Sequence, residues 1–246
     1  MNPLEDTVLI TGAARRIGAE IARALHQSGF RVALHYHRSA SAAEELAARL
    51  NRERPDSVRL IQADLALTDR LAEIVERAAG FWGRLDALVN NASTFYTTPL
   101  TTVTEAQWDQ VMASNLKAPF FLSRAAAPWL RCHHGCIVNL IDIYAERPLR
   151  GYSVYSIAKA GLAALTRALA VELAPDVRVN GVAPGAILWP EDGPDAAHQA
   201  EILSRVPLGR AGLPEDIARA VRFLIQEGPY VTGQILTVDG GRSVFI

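Results

Sequence analysis

Apolar residues in this chain recur in two alternating rhythms. Short runs rich in β-branched and aliphatic residues, "TVLIT" (7–11) and "RVALHYH" (31–37), flank "RRIGAEIARALHQSG", where apolar positions fall three and four apart. The short runs predict strands, and the three-and-four spacing predicts a helix with one apolar stripe. The alternation continues, with a helical pattern at 41–53 before a strand-like run at 57–64, and "DRLAEIVERAAGFW" before "LDALVNNA". A long helical region from Thr104 to about Leu130 leads to "CIVNLID". A helix after Tyr152, a strand at 177–183, a mobile-looking segment at 186–206, a helix after Pro214 and a last strand, "QILTVDG", complete the series. Seven strands separated by helices predict an α/β fold with a doubly wound parallel sheet.

Composition narrows this Rossmann-type picture without changing it. Half of the 246 residues are hydrophobic, 21% are charged and the formal net charge is −1. That balance fits one domain with a sizeable core, and the pattern shows no repeat or break in composition. It leaves no electrostatic footprint for nucleic acid or an anionic membrane. No apolar run approaches a membrane span, and "MNPLEDTVLI" lacks the basic start of a secretory signal, so a cytoplasmic location is expected. "CHHGC" (Cys132 to Cys136) carries metal-ligating residue types, but Cys132 closes a helical run, Gly135 turns the chain and Cys136 opens a strand. With no second ligand cluster in the sequence, no metal is expected.

The chemistry begins where the first strand ends, in "TGAARRIG", Thr11 to Gly18. A glycine-rich turn from strand into helix lets a pyrophosphate approach backbone N–H groups and the positive helix end. Gly12 and Gly18 are in place, while Arg16 occupies the usual position of the middle glycine. Arg15 and Arg16 stand at a phosphate-sized gap, where a guanidinium replaces a backbone donor. The second strand runs into His37, Arg38 and Ser39, at the place where an NAD site carries an acid for the ribose 2′-hydroxyl. A cation and a hydroxyl suit a 2′-phosphate that a carboxylate repels, so NADPH is the expected cofactor. Asp64, followed by Leu65, ends the third strand at an expected adenine contact, and Asn91, Ala92 and Ser93 of "NNAS" end the fourth beside the cofactor.

Taken in order, "TGAARRIG", "NNAS", Asn115, "YSIAK" and "PGAI" span the chain, and together they resemble the short-chain dehydrogenase/reductases. The arginine in the glycine turn, "HYHRS", "NNAS" followed by "FY", and Asp142 in place of the usual serine are most similar to the pteridine reductases. The resemblance implies that Tyr155 is the proton donor, that Lys159 lowers its pKa and holds the nicotinamide ribose, and that Asn115 supports a water leading to Lys159. It also implies cofactor contacts from Ile17, Pro184 and Gly185, and a homotetramer built on the helices carrying Asn115 and Tyr155. Phe95 corresponds to a phenylalanine that stacks a flat pterin, Arg16 is placed to reach both pyrophosphate and pterin, and Ser93 to bridge cofactor and substrate. Trp189, on the expected substrate loop around 186–206, is a candidate for the pocket wall. Tyr144 and Arg147 follow Asp142 closely and receive no role.

Tyr155 and Lys159 are four apart on one helix and so share a face. A cation about 4 Å from a phenol is worth about 4 kcal/mol at an effective dielectric near 20, or roughly three pKa units. Asp142 decides which bond such a site reduces. Reduction of a ketone builds negative charge on oxygen, which a neighbouring carboxylate opposes. Reduction of a C=N bond protonates nitrogen and develops positive character, which a carboxylate stabilises. Asp142 therefore points to a dihydropterin, with an oxidised pterin or dihydrofolate as further substrates, taken to the tetrahydro form. The competing enzyme is a carbonyl reductase such as a 3-oxoacyl-carrier-protein reductase. Intact Asn115, Tyr155 and Lys159 argue against a nucleotide-sensing protein that merely kept the fold.

Overall fold

Alternate residues of each short run face opposite sides of a single sheet, and both sides are covered. The computed structural model describes residues 6–189 and 195–244. Its strands are β1 (Thr7–Ile10), β2 (Arg31–Tyr36), β3 (Val58–Gln62), β4 (Ala87–Asn90), β5 (Cys136–Leu140), β6 (Arg178–Pro184) and β7 (Ile235–Val238). Val8, Ile10, Val32, Leu34 and Val89 belong to one core, while Leu9, Ala33 and Leu88 belong to another on the opposite face. Burial on both faces explains why the runs read as continuously apolar. The helices are α1 (Arg16–Gln27), α2 (Ala40–Glu53), α3 (Leu71–Gly80), α4 (Glu105–Met112), α5 (Ala118–Arg131), α6 (Ser153–Glu172), α7 (Ala196–Ser204) and α8 (Pro214–Arg222). The apolar stripes of α1, α2 and α8 fill the first core, and those of α3, α5 and α6 the second.

All strand pairs are parallel, in the order β3-β2-β1-β4-β5-β6-β7. Ile10 is in register with Leu34 on one side and Val89 on the other, so the carboxyl ends of β1, β2 and β4 lie together. The strand order reverses between β1 and β4, and in open α/β sheets that reversal leaves a crevice beyond the carboxyl ends.

Two expected elements differ. The long helical region from Thr104 is interrupted, because α4 passes through a π-turn at Ala113–Lys117 before α5 begins. The segment 186–206, expected to be mobile, carries α7, whose start is capped by the Asp195 carboxylate accepting from His198 N at 2.9 Å. No residue of α7 is buried, so the helix has no apolar stripe to betray it in sequence. Residues 190–194 of the expected substrate loop, like the first five residues, lie outside those described. Among the described residues one helix, α6, is long and apolar enough to cross a bilayer, and 56% of that stretch is buried within the fold.

Candidate active site

The glycine turn is built by close approach. Gly12 has φ +62°, a conformation glycine enters freely, and a Cβ there would stand 2.9 Å from Ala92 Cα. Gly18 is tighter still: a Cβ would sit 2.3 Å from the Gly12 carbonyl oxygen and 2.5 Å from Asn91 Nδ2. Asn91 completes the cradle, its Nδ2 donating to the Thr11 and Gly12 carbonyls at 2.8 and 3.0 Å. Arg16 keeps the backbone of the glycine it replaces, with φ +55°. That conformation costs an L-residue roughly 1–2 kcal/mol. Its guanidinium donates to the Trp189 and Leu188 carbonyls, both at 3.1 Å. Arg16 thus ties the turn to the segment after β6, with two donors committed to that tether.

His35 escaped notice in the sequence because it sits inside the apolar run of β2. Buried there, it is pushed down to about 4 and stays neutral. Gly12 N donates to its Nδ1 at 3.2 Å, so the ring proton lies on Nε2, which donates to the Ala63 carbonyl at 3.2 Å. The imidazole therefore pins the glycine turn between the ends of β2 and β3.

Above this frame lies a cleft of about 590 Å³ at the reversal of strand order. Gly12, Arg15, Arg16, Ile17 and Gly18 line it from the turn, His37, Arg38 and Ser39 from the end of β2, Asp64 and Leu65 from β3, and Asn91, Ala92 and Ser93 from β4. The Asp64 carboxylate accepts from Ala66 N at 2.9 Å and stands 3.6 Å from His37 Nε2. A cradle that a Cβ would fill, beside a basic strand end, fits the pyrophosphate of a dinucleotide. Pro184 and Gly185 do not line this cleft. They close β6, and Gly185 is required by packing, since a Cβ there would meet Asp239 Cβ at 2.5 Å.

The second part of the site is a hydrogen-bonded pair on neighbouring elements. Asp142 ends the chain's exit from β5 and caps a short 3₁₀ turn, its Oδ1 accepting from Tyr144 N at 2.9 Å. Its Oδ2 accepts from Tyr155 Oη, on the first turn of α6, also at 2.9 Å. Burial raises the Asp142 carboxyl above its usual range, opposed by the Tyr144 N–H and by Lys159. Burial and then the Asp142 carboxylate hold the Tyr155 phenol well above 10. The lysine is 2% exposed, donates from Nζ to the Leu140 carbonyl at 2.8 Å and lies 5.5 Å from the centre of the Tyr155 ring. Its own pKa falls to about 8 because burial penalises the ammonium.

Asn115 lies in the π-turn, fully buried, with Nδ2 donating to the Thr94 and Val111 carbonyls at 2.9 and 3.0 Å. Ser93 Oγ donates to Asn115 Oδ1 at 2.7 Å, which links the cleft wall to that turn. Phe95 stacks on Tyr152 with centroids 4.5 Å apart and meets Tyr155 edge-on at 4.8 Å, and the residue is 40% exposed beside the pair. Trp189 contributes a carbonyl to Arg16 and is half-buried. Cys136 is buried in β5, its thiol pushed up to about 11 by burial, and among the described residues no His, Cys, Asp and Glu side chains gather as a metal site. The arrangement offers a dinucleotide cradle leading to a proton-holding pair over a flat aromatic.

A family model described as "Enoyl-(Acyl carrier protein) reductase" matches residues 12–243. The chain is 39% identical to pteridine reductase 1 of Leishmania tarentolae over a 284-residue alignment covering 99% of this chain and 98% of that protein. It is 36% identical to a 3-oxoacyl-acyl-carrier-protein reductase of Staphylococcus aureus, covering 96% and 97%. It is also 36% identical to a putative ketoacyl reductase of granaticin polyketide synthesis from Streptomyces violaceoruber, covering 98% of each.

Proposed function

The chain belongs to the short-chain dehydrogenase/reductase family of oxidoreductases, and on that premise we propose that it is an NADPH-dependent pteridine reductase. Overall identity separates the candidate activities little, at 39% for the pteridine reductase and 36% for the oxoacyl reductase. The observation that carries the reading is local: the proton donor Tyr155 is hydrogen-bonded to a carboxylate, Asp142, at 2.9 Å. Arg38 and Ser39, with no acid at the strand end, support a 2′-phosphate and so NADPH over NADH. The whole chain acts as one reductase domain, with 186–206 as its substrate loop, and works in the cytoplasm as a homotetramer.

NADPH, when bound, supplies the hydride. Tyr155 and Asp142 hold the proton that the ring nitrogen takes as carbon accepts that hydride. Their raised pKa values fit this role. Tyr155 stays protonated at neutral pH, and Asp142 is lifted toward the range in which it exchanges a proton with a water or a ring N–H. The ionised form of Asp142 also steadies positive charge developing at nitrogen. Lys159 holds the nicotinamide ribose, Asn115 supports a water leading to Lys159, and the exposed ring of Phe95 offers a face for a flat pterin. The test is NADPH oxidation with a dihydropterin beside the same assay with a β-keto ester. Turnover confined to the pterin is expected. Brisk keto-ester reduction with no pterin turnover overturns the reading in favour of a carbonyl reductase.

A further inference from the structure

One buried side chain is bonded to two walls of the dinucleotide cleft at once. His35, near the end of β2, lines the cleft and is closed off from solvent. It holds two consecutive N–H groups of the glycine turn: Gly12 N donates to its Nδ1 at 3.2 Å, and Ala13 N donates to its backbone carbonyl at 2.9 Å. On the other side its Nε2 donates to the Ala63 carbonyl at 3.2 Å. Ala63 is itself tied to β2, its N–H donating to the Tyr36 carbonyl at 3.1 Å. Asp64 and Leu65 follow directly and line the cleft where the adenine is expected.

A neutral imidazole carries one ring proton, and the nitrogen without it is the acceptor. Burial keeps this ring neutral. A carbonyl can only accept, so Ala63 fixes the proton on Nε2 and leaves the Nδ1 lone pair for Gly12 N. In the other tautomer two N–H groups would face each other across 3.2 Å. We infer that His35 is a positioning residue for the dinucleotide: the adenine wall selects its tautomer, and that tautomer holds the turn that receives the pyrophosphate. With both N–H groups anchored, Gly12 keeps the φ of +62° that brings it against Ala92, and Ile17 and Gly18 are left lining the cleft. This role rests on the dinucleotide reading of the cleft and is independent of which bond the enzyme reduces.

Calorimetry of NADP+ and of adenosine 2′-phosphate, with the native protein, His35→Leu and His35→Asn, tests this. NADP+ spans both walls, whereas adenosine 2′-phosphate has no pyrophosphate and makes no use of the turn. His35→Leu removes the acceptor for Gly12 N, and its Kd for NADP+ is expected to rise about tenfold, as for the loss of one hydrogen bond. The end of β3 stays held by its ladder to β2, so the Kd for adenosine 2′-phosphate is expected to change less than about threefold. His35→Asn returns an acceptor oxygen near the Nδ1 position and is expected to recover most of the NADP+ affinity. Native affinity in His35→Leu overturns the inference. Equal losses for the two ligands, or equal losses in the two variants, do so as well, because they reduce His35 to a packing residue. Nitrogen NMR of native protein labelled at histidine reads the tautomer without a substitution and decides the matter if His35→Leu does not fold. An unprotonated Nδ1 beside a protonated Nε2 upholds the assignment, and the reverse tautomer or an imidazolium overturns it. Native protein that binds NAD+ and not NADP+ removes the 2′-phosphate reading, and the same comparison made with NAD+ and adenosine then decides on His35.

Discussion

Replacing Asp142 by serine removes one negative charge and the acceptor of the Tyr155 hydroxyl while leaving the glycine cradle untouched. The Tyr155–Asp142 hydrogen bond is 2.9 Å, so a ring nitrogen bonded to the same carboxylate lies at about 3 Å. Half a unit of positive charge developing there gains about 3 kcal/mol at an effective dielectric near 20. Losing it corresponds to about a hundredfold in kcat/KM for the dihydropterin. The sign reverses for a ketone, whose oxygen becomes negative, so reduction of a β-keto ester is expected to rise in the same variant. The assay is NADPH oxidation with each substrate, alongside NADPH affinity by fluorescence titration, which is expected to move little. Pterin turnover within about threefold of the native enzyme, with normal NADPH affinity, refutes the reasoning. The carboxylate would then be a capping group for the Tyr144 N–H and no part of the chemistry.

Arg38→Asp places a carboxylate where a 2′-phosphate is expected and is predicted to reverse the preference from NADPH to NADH; an unchanged ratio of the two kcat/KM values refutes the assignment of that strand end. Gly18→Ala forces a Cβ to within 2.3 Å of the Gly12 carbonyl, so a fall in melting temperature of several degrees together with weakened NADPH binding is expected. A normal melting curve with normal affinity would show that the turn relaxes freely. Lys159 gives a pH signature. Its folded pKa of about 8 lies below the 10.5 of a free lysine, so between those values the unfolded chain binds more protons than the folded one. Stability from this group therefore rises with pH across that window, by about 3 kcal/mol over its full width. Urea unfolding at pH 7.5 and pH 10 is expected to show this rise relative to Lys159→Met, in which it is absent; identical pH slopes for the two proteins refute the burial of a charged lysine.

The elements read most directly from sequence are those whose signal is local and repeated. β1, β2, β4, β5 and β6 were legible because they are buried along nearly their whole length and so run largely apolar, while the edge strands β3 and β7 keep exposed positions. Gly12 and Gly18 were legible because a turn that tight admits nothing larger. What stayed hidden depends on one side chain serving two distant segments, or on a helix that breaks its own period. The π-turn around Asn115 keeps a helical composition, so spacing alone cannot reveal it. His35 looks like one more residue of a buried strand until Gly12, 23 positions earlier, is found donating to it. Arg16 was visible as a departure from a glycine pattern, yet its tether to Leu188 and Trp189 spans more than 170 residues. Lys159 is the instructive case, because its spacing to Tyr155 suggested a cation acting on a phenol. Spacing fixes which face of α6 the two side chains share, but not how much water surrounds them. Burial is a property of the assembled core, and at Tyr155 it outweighs every other effect. The tyrosine is thereby kept protonated at neutral pH, while the lysine falls to about 8. On the proposed pteridine-reductase reading, that order suits delivery of a proton to nitrogen better than a phenol tuned to ionise.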